Sequence, residues 1–154
     1  MDGIVIRAAM RTAPMALLFA LGVAQPAGAG ESAASLAITI TGAISAKGVI
    51  RIALCAPDTG FPDCRTRVVR TASLAIAQGS ARAVFAGLPP GSYAISAFHD
   101  ANGNGRLDTF AGIPREGYGF SRNPPFRPRA PHFEEARIEV HGATTATISL
   151  RYIL

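Results

Sequence analysis

The chain contains 154 residues, with 49% hydrophobic and 16% charged residues and a formal net charge of +5 at pH 7. The length fits one domain with a single buried core and excludes an arrangement of several domains. The modest positive charge comes mostly from arginine and is compatible with anionic partners, but ordinary surface charge explains it equally well.

The first 29 residues have the three-part layout of a cleavable export signal. Two arginines precede an apolar stretch at residues 13–23, and Ala27 and Ala29 suit cleavage by signal peptidase. A membrane-spanning helix needs roughly 20 apolar residues, so this stretch is too short to serve as a stable anchor. We therefore predict a secreted protein with a single domain at residues 30–154, outside the cytoplasm, where a partner such as nucleic acid is not expected.

Cys55 and Cys64 are the only cysteines. An even number of cysteines in an oxidising compartment predicts a disulfide. It would close a loop of about ten residues and stabilise the fold by roughly 2 to 3 kcal/mol. Two thiolates make an incomplete zinc site, and a redox pair normally lies closer together, so reactive cysteines are the less favoured interpretation.

Short segments that alternate larger apolar with small or polar residues predict seven β-strands. They lie at residues 36–42, 49–55, 66–77, 81–85, 93–99, 136–141 and 144–152. The last two are predicted to form a hairpin across the turn at residues 142–143. Because no amphipathic helix is evident, the pattern predicts an all-β fold, an antiparallel seven-stranded Greek-key sandwich.

Regular periodicity disappears between residues 100 and 132, where Gly, Pro, Asn and Arg are frequent. A loop of this length inside a small domain usually has a function or is organised by a ligand. Its first part places oxygen-bearing side chains at loop positions 1, 3, 5 and 9, with a glycine at position 6, which is the spacing of a calcium loop. These four residues are Asp100, Asn102, Asn104 and Asp108.

The twelfth position of this loop is Ala111, where a calcium loop normally has a bidentate glutamate. Two interpretations stay open. In one, the loop is a shorter calcium site that Glu116 completes, with a dissociation constant of roughly 0.1 to 1 mM. In the other, the loop binds no metal, and its Asp and Asn side chains cap the backbone amides of the loop itself.

Aromatic and charged side chains follow among glycines and prolines. Tyr118, Phe120, Arg122 and Arg127 are the candidate ligand surface, for a sugar, a peptide or an anionic envelope glycan. The structural alternative is that the two aromatic side chains fold inward over an open end of the sandwich, and that the arginines are solvated.

No motif identifies a catalytic residue. A Gly-x-Ser-x-Gly turn, a phosphate loop, a dinucleotide fingerprint and a His-Glu-x-x-His zinc motif are all missing from the sequence. The enzymatic alternative is a metal-assisted hydrolase in which Glu116 or His99 acts as acid or base. His99 is otherwise a residue at the end of a strand that supports the following loop.

Three segments together carry a family resemblance: residues 85–100, the Asn-Gly-Asn-Gly turn at residues 102–105, and residues 112–121. They resemble an uncharacterised bacterial secreted family, domain of unknown function 2141, over residues 36–152. The resemblance implies an exported bacterial protein, in the periplasm, and no particular activity.

The Leu-Pro-Pro-Gly-x-Tyr segment at residues 88–93 is also similar to transthyretin-like and collagen-adhesin B-type sandwiches. The chain ends differently from hydroxyisourate hydrolase, so that activity is not implied. We expect a non-enzymatic envelope module that uses loop 100–123 to bind calcium or a ligand, with an anionic glycan or a surface protein as partner.

Overall fold

The computed structural model describes residues 33–153, and the predicted export signal at residues 1–29 lies outside them. Within the described range the fold is all-β, with ten strands and one helix of four residues. Numbered in chain order, these are β1 (Ala34–Thr41), β2 (Val49–Cys55), β3 (Val68–Leu74), β4 (Ala81–Leu88), β5 (Gly91–Asp100), β6 (Thr109–Phe110), β7 (Ile113–Pro114), β8 (Tyr118–Phe120), α1 (Phe133–Ala136), β9 (Ile138–Val140) and β10 (Ala143–Ser149).

Two sheets share one apolar core. The first has the order β10-β1-β4. The second has the order β3-β2-β5, and β8 and β9 both pair with the remaining edge of β5. Strands β6 and β7 form a small separate hairpin. Among the described residues, the only helix is far too short to cross a membrane.

The alternation that predicted the strands also builds the core. In β1, Leu36, Ile38 and Ile40 are buried, and the residues between them are partly exposed. Ile50 and Ile95, from the facing sheet, belong to the same buried cluster. Removing each such side chain from water contributes roughly 1.5 to 3 kcal/mol, so the core is the main source of stability.

All seven predicted strands are present, but the hairpin predicted for the last two is wrong. β9 pairs with β5, where Val140 lies opposite Gly91. The chain then crosses to the other sheet, and β10 pairs with β1 in parallel, with Ala143 opposite Ser35. The prediction of a purely antiparallel sandwich is therefore also wrong. Period-2 patterning identifies a strand and its buried face, but it does not identify the partner strand.

The long loop is more regular than the sequence indicated. It contains β6, β7 and β8, and helix α1 follows directly after residue 132. Strand β8 adds to the large sheet, with Tyr118 opposite Phe98 and Phe120 opposite Ser96. Strands of two or three residues are too short to show a period, which is why the pattern did not predict them.

The cysteine loop folds across the outer face of the large sheet, meaning the face away from the core. Cys55 and Cys64 form a disulfide with Cα atoms 5.6 Å apart. Within their loop, the ring of Phe61 lies 5.7 Å from the ring of Phe120, centroid to centroid. The carbonyl oxygen of Pro62 accepts a 2.9 Å hydrogen bond from the hydroxyl of Ser96. The disulfide therefore fixes a loop that covers one end of this face.

The register of β2 against β5 determines where the loop that starts at Asp100 leaves the sheet. Val49 lies opposite Asp100, the last residue of β5. Just before β2, the carbonyl oxygen of Lys47 lies 2.7 Å from Nε2 of His99. Gly48 lies against the backbone here, since a Cβ atom at this position would be 1.9 Å from the carbonyl oxygen of Asp100. The turn before β2 is thus packed directly under the loop.

A comparison of two glycines tests this close packing. Gly48 and Gly87 have nearly equal φ angles of +70° and +69°, but nothing lies within 4 Å of a Cβ at Gly87. We expect Gly87→Ala to lower the free energy of unfolding by about 1 kcal/mol, from the strain of the positive φ alone. Gly48→Ala should cost more than about 3 kcal/mol, because a backbone atom has to move. Urea unfolding measures both, and equal losses would contradict the packing described.

Candidate functional site

Asp100 is the central residue of the site. Its side chain is fully buried, and Oδ2 accepts hydrogen bonds from Nε of Arg51 and, at 2.9 Å, from the backbone amide of Gly105. Oδ1 is buried and has no hydrogen-bond partner among the described residues. Burial by itself raises the pKa of the Asp100 carboxyl, but the bonds from Arg51 and Gly105 outweigh it, and the pKa lies below its ordinary value. The side chain is therefore a buried carboxylate anion.

Among the other three predicted ligands, Asn102 and Asn104 both hydrogen-bond to the carboxylate of Asp108. Nδ2 of Asn102 lies 2.7 Å from Oδ2 of Asp108, and Nδ2 of Asn104 lies 2.9 Å from Oδ1 of Asp108. These hydrogen bonds, that of Asn104 first, hold the pKa of Asp108 below its ordinary value. The amide oxygens point the other way, to the backbone amides of Asn104 and Arg106 at 3.1 and 2.9 Å. The three side chains thus meet in space, but the asparagines turn their amide NH2 groups, and not their oxygens, toward Asp108.

Glu116 closes the loop from outside. Its carboxylate is buried, and its two oxygens each accept a 3.0 Å hydrogen bond, one from the backbone amide of Ala101 and one from that of Asp108. One side chain therefore joins both ends of the calcium-like loop. This geometry makes Glu116 a brace, which differs from the ligand role predicted for it.

His99 lies beneath the loop and faces the core side. Its Nε2 contacts a carbonyl oxygen, that of Lys47, so Nε2 carries the proton and Nδ1 accepts. The hydroxyl of Tyr152 lies 2.8 Å from Nδ1 and donates to it. Burial raises the pKa of Tyr152, which keeps this hydroxyl protonated. His99 is thus a buried support for the loop with both ring nitrogens hydrogen-bonded.

Taken alone, these contacts match the self-capping alternative. Side-chain oxygens of Asp100, Asn102, Asn104 and Glu116 all accept backbone amides of the loop. Among residues 33–153, no three His, Cys, Asp or Glu side chains are grouped as a metal centre. Two of the four predicted ligands in the loop are asparagines, and amide oxygens are calcium ligands as well.

The predicted ligand surface is assembled only in part. Tyr118 and Phe120 are half-buried, with ring centroids 5.8 Å apart, and they line a small cavity of about 20 Å³ together with Arg127. Arg122 does not line it, and its guanidinium lies beside the carbonyl oxygen of Glu134. A cavity of this size holds little more than one water molecule. The two aromatic side chains lie on the outer face of the large sheet, on the side of Phe98 and Ser96, and do not fold inward over an open end of the sandwich as the structural alternative expected.

The arginines near this cavity are balanced by one acid. Glu135 accepts a 2.7 Å hydrogen bond from Arg129, and Arg127 lies 3.8 Å from it. The bond from Arg129, followed by that from the amide of His132, lowers the pKa of Glu135 to about 2. The positive charge predicted for this surface is therefore partly neutralised.

Two residues of the site were not predicted from the sequence. Arg51 lies about 50 positions before Asp100 in the chain, and Tyr152 lies as far after His99. Arg51 alternates with the core residues Ile50 and Ile52, a sign that it faces outward. No local signal pairs it with Asp100, because that contact exists only once β2 and β5 are in register.

The fold and the site together define an all-β domain of two sheets that holds a braced polar loop at the end of a central strand. A model of the family "Uncharacterized protein conserved in bacteria (DUF2141)" matches residues 38–148. The chain belongs to this family, which confirms the resemblance seen in the sequence. No curated protein and no solved structure matches the chain.

The role of Glu116 as a brace can be tested by Glu116→Gln. Glutamine keeps only one acceptor oxygen, so one of the two part-buried hydrogen bonds to backbone amides is lost, and we expect a loss of about 1 to 2 kcal/mol in the free energy of unfolding. The amide of Ala101 or Asp108 should also exchange its hydrogen faster.

The matched control is Glu134→Gln, because Glu134 is 71% exposed and its side chain contacts only Arg137. Exposed ion pairs contribute little, so the control should change stability by less than about 0.5 kcal/mol. Equal losses for the two variants would show that Glu116 does not brace the loop.

Proposed function

We propose that this chain is an exported, non-enzymatic module of the bacterial envelope whose loop at residues 100–108 binds calcium. The observation that carries the proposal is Asp100, whose buried carboxylate has one oxygen committed to the loop and the other without a partner. A buried anionic oxygen without a hydrogen bond is costly. A cation at the loop would remove that cost.

The two carboxylate oxygens of Asp100 have different roles, which supports the same conclusion. Oδ2 holds the amide of Gly105, the glycine at position 6, and so fixes the turn. Oδ1 is left for a ligand, as the first residue of a calcium loop requires. Each amide oxygen of Asn102 and Asn104 accepts one backbone amide and keeps a second lone pair. With the Asp108 carboxylate, the loop offers several hard oxygen ligands, which suits calcium more than the strictly octahedral magnesium.

Catalysis is the weaker alternative for a physical reason. The two acid–base candidates of a metal-assisted hydrolase, His99 and Glu116, are buried, and all their ring nitrogens and carboxylate oxygens are engaged in structural hydrogen bonds. A general acid or base must reach the atom that it protonates or deprotonates. Binding therefore accounts for this loop better than turnover does.

Calcium binding can be measured by calorimetry and by thermal melting of residues 30–154 in the oxidised form. We expect a dissociation constant of about 0.1 to 1 mM, as in other extracellular sites. At about 10 mM calcium this corresponds to roughly 1.4 to 2.7 kcal/mol of added stability, and hence to a rise of several degrees in Tm. Because the pKa values of Asp100 and Asp108 are lowered, both remain ionised and binding should be unchanged from pH 7 to about pH 5.

Asp108→Asn should abolish the calcium effect, since it removes one of the only two carboxylates among the four proposed ligands of the loop. The matched control is Asp63→Asn, in the cysteine loop, where the exposed carboxylate pairs only with Arg65. A protein that shows neither heat nor stabilisation with about 10 mM calcium, or two variants that respond alike, would overturn the proposal.

Export is the second part of the proposal. It is supported by the signal-like layout of residues 1–29 and is compatible with the disulfide between Cys55 and Cys64. When the full chain is expressed in a Gram-negative bacterium, we expect it in the periplasmic fraction with an N-terminus near residue 30. A chain that stays in the cytoplasm and still begins at Met1 would contradict export.

A further inference from the structure

The outer face of the large sheet carries two rows of side chains, of which the calcium loop uses only Arg51, through Asp100. The register places Thr71, Ala53 and Ser96 side by side in one row, and Ser73, Arg51 and Phe98 in the next. All six alternate with core residues and point away from the core. Together they line a depression of about 450 Å³, which we call the outer trough.

The outer trough lies on strands β3, β2 and β5 and is bordered at one end by the loop that contains Gly105. Its floor is low because Ala53 and Ser96, at the centre of the sheet, are small. At one end, Gly105 of the calcium-like loop lines the trough beside the guanidinium of Arg51. The hydroxyl of the lining residue Ser96 donates to the carbonyl oxygen of Pro62 in the cysteine loop. Its volume falls in the range of about 300 to 1,000 Å³ that is usual for small-molecule sites.

The lining combines an aromatic ring with hydrogen-bonding groups. Phe98 is half-buried and lies opposite Tyr118 of β8, so its ring borders the trough on the side nearest β8. Thr71 and Ser73 face it from β3 with exposed hydroxyl groups. Arg51 uses Nε for Asp100 and Nη1 for Ser73, and its Nη2 makes no hydrogen bond within the described residues. Free N–H donors and hydroxyls therefore face an apolar ring across the trough.

The charge of the lining selects the class of ligand. Arg51 is the only charged residue that lines the trough, and the buried carboxylate of Asp100 neutralises it. An anion would find no unpaired positive charge here. An extended peptide lying over the centre of the trough would find no free strand edge, since β2 and β5 are paired on both sides and only β3, at its border, has an unpaired edge. A pyranose ring has an apolar face of C–H groups and a rim of hydroxyls, and it carries no charge. We propose that the outer trough binds an uncharged saccharide.

This proposal differs from calcium binding in its ligand and does not require a metal; the two sites share Arg51 and Gly105, neither of which is a proposed calcium ligand. The saccharide stacks one face on Phe98, and its hydroxyls exchange hydrogen bonds with Arg51, Ser73 and Thr71. Stacking on an aromatic ring needs the flat π surface, whereas aliphatic residues of similar size supply only apolar contact. The aromatic character of Phe98 is therefore the feature to change.

The test is an array of neutral oligosaccharides, followed by NMR titration with maltotriose, cellotriose and chitotriose in calcium and, separately, in a chelator. We expect at least one neutral sugar to shift the amide signals of Ala53, Thr71 and Ser96 equally in both buffers. Phe98→Leu should weaken binding about tenfold. Thr71→Tyr, which fills the trough, should abolish it.

Thr145→Tyr is the matched control, because Thr145 is also an exposed strand threonine but lies on the outer face of the other sheet. It should bind like the original protein, and melting curves identify any variant that fails to fold. The proposal is overturned if no neutral sugar binds at millimolar concentration, or if binding survives both Phe98→Leu and Thr71→Tyr. It is also overturned if only acidic sugars bind and salt removes them, which would point to the exposed arginines. If the protein binds a neutral sugar but no calcium, the calcium proposal fails and the saccharide proposal is supported.

Discussion

The buried carboxylate of Asp100 is the interaction on which the site depends. It ends β5, binds Arg51 of β2 across the sheet, and holds the amide of Gly105 at the turn of the loop. A buried charge is tolerated only when partners compensate it. Asp100 thus connects the sheet to the loop and, through Arg51, to the outer trough. A substitution at Asp100 is expected to affect all three.

Hydrogen bonds within the chain fix the shape of the loop. Glu116 joins its two ends, the asparagines cap its turn, and the hydrogen-bonded pair of His99 and Tyr152 supports it from below. Preorganisation of this kind reduces the entropy that ligand binding costs. It would favour the proposed calcium binding by a loop with only two carboxylates among its proposed ligands, and it leaves the neighbouring sheet face with a fixed shape.

Prediction succeeded where the information is local in the chain. The alternation in Leu36 to Ile40 identifies both a strand and its buried face, because successive residues of a strand point to opposite sides. It failed for the last two strands, since the partner of β10 is β1, more than a hundred residues earlier. It also failed for β8, which has only three residues and exists because β5 offers an open edge.

The sequence by itself determined the all-β class, the cysteine pair, and the set of oxygen-bearing residues from Asp100 to Asp108, because each depends on neighbours in the chain. Only the tertiary structure decided that Asp100 meets Arg51, that Glu116 braces the loop, and that Phe98 borders a neutral trough. These relations depend on strand register, and register is settled when the two sheets bury their apolar faces together.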